Sequence, residues 1–111
     1  MSDRLEWFKR ELKALSSGPK EQLQYLEQQG LAERIDELAL DYDAIAMATG
    51  DMLLKGEITQ PVRECAMELL DYLKSFSGEA SAHLWTPDAL RSAPEWERVR
   101  RMATECLAQL Q

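Results

Sequence analysis

The chain has 111 residues, 45% apolar and 30% charged, with five glycines and four prolines; this is the composition of a single folded domain over residues 1–111 and excludes a two-domain enzyme or a disordered linker. Thirteen Lys and Arg against 20 Asp and Glu leave a net charge of −7, which disfavours nucleic-acid binding, because that needs a basic footprint. No apolar run nears the roughly 18 residues that span a bilayer, and the opening Met1-Ser2-Asp3-Arg4 leads into no apolar signal core, so a cytoplasmic protein without membrane contact is expected.

Leu5, Phe8, Leu12 and Leu15 recur at helical spacing, and Asp3 with Glu6 resembles a helix-start box. The first helix is expected over about Asp3 to Leu15. Ser16-Ser17-Gly18-Pro19 breaks it, and a short helix follows with Leu23 and Leu26 inward and Gly30 as a left-handed cap. From Leu31, the positions Leu31, Ile35, Leu38, Tyr42 and Ile45 keep the same spacing and predict a long central helix that continues through Met52, Leu53 and Leu54 to a stop at Gly56. Gly50 inside that run implies a close helix contact or a kink.

Thr59 with Pro61 opens the next helix, whose stripe is Val62, Ala66, Leu69, Leu73 and Phe76, and Gly78 closes it. Residues 79–85 lack a clear period. Thr86-Pro87-Asp88-Ala89-Leu90 reads as a cap and one helical turn. Ser92 and Glu95 form an S-x-x-E capping box, and Trp96, Val99, Ala103, Cys106 and Leu110 carry the last helix. No segment alternates with period two, and there is no Asn-Gly or Asp-Gly hairpin turn. The fold class is therefore all-α: an antiparallel bundle of about four main helices plus one or two short ones.

Cys65 and Cys106 fall on apolar sides of helices, and with a reducing compartment expected they read as two buried thiols, with a disulfide between packed helices as the lesser option. The single histidine, His83, cannot complete a Cys-His zinc set or a paired Glu-x-x-His site. No metal, cofactor or catalytic set is expected.

The negative charge is uneven. Residues 31–60 hold seven acidic side chains against Arg34 and Lys55, whereas residues 1–30 balance five against five. On a continuous helix Glu33, Glu37 and Asp41 stack at i, i+4 and i+8, where like charges oppose the helix by a few tenths of a kcal/mol per pair. Two readings stand: an acidic docking strip for a basic partner, or a solvated face. Among the tryptophans, Trp96 fits a core stripe and Trp7 a core edge, while Trp85 either pins the irregular segment to the bundle or projects as an interface anchor. Arg98, Arg100 and Arg101 read as a salt-bridging surface, and Met47, Met52, Met67 and Met102 as core filler.

Glu33-x-x-Asp36-Glu37 and Glu64-x-x-x-Glu68-x-x-Asp71 resemble the E-x-x-D elements of all-α nucleotide pyrophosphohydrolases of the MazG type. That resemblance implies Mg²⁺ held between facing helices, but the family's adjacent Glu-Glu element and a motif-placed base for the phosphates are missing. The segment Ser77-Gly78-Glu79-Ala80-Ser81-Ala82-His83-Leu84-Trp85-Thr86-Pro87-Asp88-Ala89-Leu90, with Pro94-Glu95-Trp96 and Arg98-Val99-Arg100, is similar to the C-terminal half of small acidic helical proteins among the bacterial immunity proteins. This resemblance implies a cytoplasmic protein that binds a cognate, basic toxin and blocks it without catalysis.

The favoured expectation is thus a non-catalytic, immunity-type protein-binding module with Glu33, Glu37, Asp41 and Trp85 as contacts. The alternatives are a Mg²⁺-dependent hydrolase using Glu33, Asp36, Glu37, Glu68 and Asp71, and a structural homodimer.

Overall fold

Periodic apolar spacing becomes four long amphipathic helices. In the computed structural model, which describes residues 3–32 and 34–110, α1 (Asp3–Ser16) buries Phe8, Leu12 and Leu15, and α3 (Asp36–Ala46) buries Leu38, Tyr42 and Ile45. On α5 (Gln60–Ser75) the buried face is Val62, Ala66, Leu69, Leu70 and Leu73, and on α7 (Pro94–Leu110) it is Trp96, Val99, Ala103 and Cys106. Full burial of a Leu or Phe contributes about 1.5–3 kcal/mol. Packing runs α1 on α3, α3 on α5, α5 on α7 and α7 back on α1, so the four close a ring around one core. Three shorter helices complete the fold: α2 (Pro19–Gln28), α4 (Thr49–Leu54) and α6 (Pro87–Ser92), with a 3-10 turn over Glu79–Leu84. No described residue lies in a strand. The all-α class is as expected, with one more short helix than the sequence implied and a 3-10 turn where residues 79–85 showed no period.

The central helix differs from the expectation. It begins at Asp36, not Leu31, and is broken at Met47 and Ala48 before α4. At the front, α2 ends in a Schellman motif: Gly30 takes φ +73°, its N–H bonds the Glu27 carbonyl, and the Leu31 N–H reaches back to Leu26 at 2.8 Å. Leu31 is therefore a cap contact to α2, and its spacing to Ile35 only imitates a helix. At the break, the buried Thr49 hydroxyl donates to the Ala46 carbonyl at 2.6 Å, competing with the backbone ladder. Gly50 falls just after, inside α4, where a Cβ would meet the Arg63 guanidinium at 3.3 Å. The close contact expected at Gly50 is present, and the kink lies ahead of it. Gly56 ends α4 with φ +74° and a second Schellman pair.

Cys65 and Cys106 form a disulfide between α5 and α7, with Cα atoms 5.8 Å apart. This corrects the reading of two free thiols: Cys106 lies on the buried stripe of α7, and Cys65, partly buried beside the stripe of α5, stands opposite it. The arginine run is corrected too. Arg98 lies over the Tyr72 ring at 4.7 Å, and the half-buried Arg100 donates to the Leu90 carbonyl and to Gln22. Gln22, buried in α2, donates to the carbonyls of Ala14 and Leu15 at 3.1 and 3.0 Å, which helix α1 leaves without intrahelical partners. One amide thereby joins α1, α2 and α7. The expected box at Ser92 does not form, since the Ser92 hydroxyl donates back to the Asp88 carbonyl. Likewise the Thr59 side chain makes no cap bond, although its backbone is extended as an N-cap requires. No helix among the described residues is long and apolar enough to cross a membrane.

Candidate functional site

A concavity is lined by residues of α3 and α5 together with Ser77, Gly78 and Trp85. Its volume is about 530 Å³, with Leu70 and Leu73 of α5 and Ala39 and Leu40 of α3 among its apolar lining and Trp85 beside them. Asp36 and Asp43 line it from α3, and Lys74 from α5. Leu40 leaves the buried stripe and is 53% exposed. Met47, seven residues on and two turns along, is 65% exposed, so it is not the core filler its type suggested. Leu54, seven further, is 86% exposed. Met52 is buried, and Met67 and Met102 pack partly buried on the core, as expected.

Trp85 pins the irregular segment, as one of its two readings had it. Its indole N–H donates to the Phe76 carbonyl at 2.8 Å, and its ring packs against Phe76 and Trp96, each at 5.2 Å between centroids. Those contacts pin the segment, yet the ring remains half-buried and lines the groove. Trp96 is fully buried, donating to the Leu84 carbonyl at 2.7 Å, whereas Trp7, expected at a core edge, is exposed. His83 is exposed on the 3-10 turn.

The acidic strip is not assembled as expected. Glu33 lies outside the described residues, and α3 starts only at Asp36, so an unbroken i, i+4, i+8 stack on one helix does not form. Glu37 accepts from Arg34 at 3.2 Å, and Asp36 pairs with the same guanidinium at 3.3 Å. Asp41 faces α1, where its charge adds to burial in raising the Glu11 carboxyl. Trp85 instead shares its groove with Asp36 and Asp43, so the acids that accompany it are not the ones the spacing singled out. The missed signal was Leu40, an apolar residue off the buried stripe of α3.

No protein-family model, curated protein or solved structure matches the chain. Of the carboxylates suggested for Mg²⁺, Asp36 and Glu37 are engaged by Arg34, Glu64 accepts from Gln60 at 3.1 Å, and Glu68 and Asp71 are exposed on α5. Among the described residues no three His, Cys, Asp or Glu side chains converge as a ligand set. The arrangement offers instead an open apolar trough with charged edges, suited to holding another molecule's side chains.

Proposed function

We propose that this chain is a non-catalytic protein-binding module of the immunity type, which neutralises a cognate toxin by engaging it through α3 and the adjoining groove. The observation that carries this reading is Leu40, an exposed apolar side chain at the lip of a groove lined by Leu70, Leu73 and Trp85. Protein interfaces are organised in this way, with an apolar centre that excludes water inside a polar rim. The net charge of −7 would speed encounter with a basic toxin. Within this reading Trp85 is a contact, while Glu37 and Asp41 supply field from the far flank of α3.

The setting belongs to the same proposal. The cytoplasm expected for such an inhibitor is reducing, which opposes the Cys65–Cys106 bridge. Trapping free thiols in the unfolded protein taken directly from its native cell therefore reports where it works: cysteines that label only after reduction mean an oxidising compartment.

Co-expression with the product of the neighbouring reading frame tests the function. The two proteins are expected to co-purify and the growth arrest caused by that product to be relieved, with both effects lost on Leu40→Glu. Undiminished toxicity, or a complex indifferent to Leu40→Glu, would overturn the reading.

A further inference from the structure

The protein-binding reading leaves open what enters the groove, and the charge distribution narrows it. Helix α3 carries Asp36, Glu37, Asp41 and Asp43 and no basic residue. Arg34 engages the first two, whereas Asp41 and Asp43 make no ion pair among the described residues. Asp43 reaches the groove directly. The opposite edge carries Lys74. An apolar trough between two roughly adjacent helices is the shape that receives the apolar face of a third. A second copy of this chain is a poor occupant, because it carries the same net charge of −7 and two such acidic surfaces repel.

We propose that the occupant is one amphipathic helix of the partner, which places its apolar face over Leu40, Ala39 and Trp85, with the buried Leu70 and Leu73 beneath them, and sets Lys or Arg along α3 beside Asp43. This rests on the protein-binding reading and adds the partner's secondary structure, sign of charge and orientation. Leu40 is the anchor at the lip, Asp43 the specific charge contact, and Lys74 a repulsive element on the far edge that selects against bases there.

The probe is a labelled helical peptide of Leu, Gln and Lys with Leu at helical spacing, compared with the same peptide carrying Glu for Lys. Binding is followed by fluorescence anisotropy at physiological salt. The Lys peptide is expected to bind at least tenfold more tightly than the Glu peptide. Leu40→Glu should weaken it at least tenfold and Asp43→Lys several-fold, while Lys74→Glu strengthens it. Glu27→Lys, on the exposed end of α2 with the same change in net charge as Asp43→Lys, should leave it nearly unchanged. Circular dichroism establishes that each variant is folded.

Three results would overturn the proposal: no binding of the Lys peptide, equal weakening by Glu27→Lys and Asp43→Lys, or a protein that self-associates without peptide until Leu40→Glu separates it. The last outcome would give the groove to a second copy. If the peptide fails while the neighbouring frame's product is still captured through Leu40, the helix proposal falls alone and the protein-binding reading remains.

Discussion

The Tyr42 hydroxyl of α3 donates to the backbone carbonyl of Ala66 in α5 at 2.7 Å, inside the core. Burial pushes the phenol well above its ordinary titration range, which favours the neutral form that donates. The bond fixes the separation of the two helices that flank the groove. Tyr42→Phe keeps the ring and its packing with Phe8, and is expected to lower stability by about 0.5–1.5 kcal/mol; urea unfolding with an unchanged slope checks this.

Opening the Cys65–Cys106 bridge should cost more. The bridge spans 41 positions, and the loop-entropy relation gives about 4 kcal/mol at that length, with about 2–4 typical of measured cases. Reduction, or Cys65→Ser with Cys106→Ser, is expected to lower the melting temperature by many degrees. A reduced protein melting with the oxidised one would contradict the bridge.

Glu11 makes stability depend on pH. It is only 5% exposed, and burial, with the Asp41 charge adding and Arg10 opposing, raises its carboxyl from 4.5 to about 7. Between those two values the folded chain holds a proton that the unfolded chain has released, so stability falls as pH rises through that window and stays at the lower level above it. Allowing for solvent screening, the loss is about 1–2 kcal/mol. Glu11→Gln should abolish it, making the variant the more stable protein at about pH 8. Thermal melts of both proteins across the window would detect an opposite slope, which would show that Glu11 is ionised in the fold.

Gln22→Leu preserves bulk but strips the Ala14 and Leu15 carbonyls of their amide donor and leaves the Arg100 Nε without Gln22. The expected loss is about 1–3 kcal/mol, since polar groups are left unpaired at a helix junction. Arg100→Leu alongside it should cost less than the two single changes added, because both remove the same contact. A double-mutant cycle measures that shortfall.

The four-helix ring was legible in the sequence because each long helix commits one face at the 3.6-residue period, and Phe8, Tyr42, Leu69 and Trp96 stand where that period puts them. What failed to read was non-periodic. Leu31 mimics a helix position while serving as the cap contact of α2, and Thr49 breaks α3 through a side-chain bond that spacing does not encode. The disulfide was obscured by an argument from compartment, and spacing alone does not say that α5 and α7 face each other. Within the groove, Trp85 was legible as an irregular aromatic. Asp36, Asp43 and Leu40 were not, since their grouping depends on which helix α3 packs beside.

Of the seams in the ring, the covalent cross-link reinforces only the one between α5 and α7. Helix α3 is held by side-chain packing and the Tyr42 bond, and its C-terminal end is already interrupted at Met47. Transient opening of the native state should start there, so the backbone amides of residues 36–46 ought to exchange with solvent deuterium sooner than those of α5 and α7. The most easily loosened strut of the scaffold is thus the one bordering the trough, which gives an incoming chain room to adjust the fit without disturbing the rest of the barrel of helices.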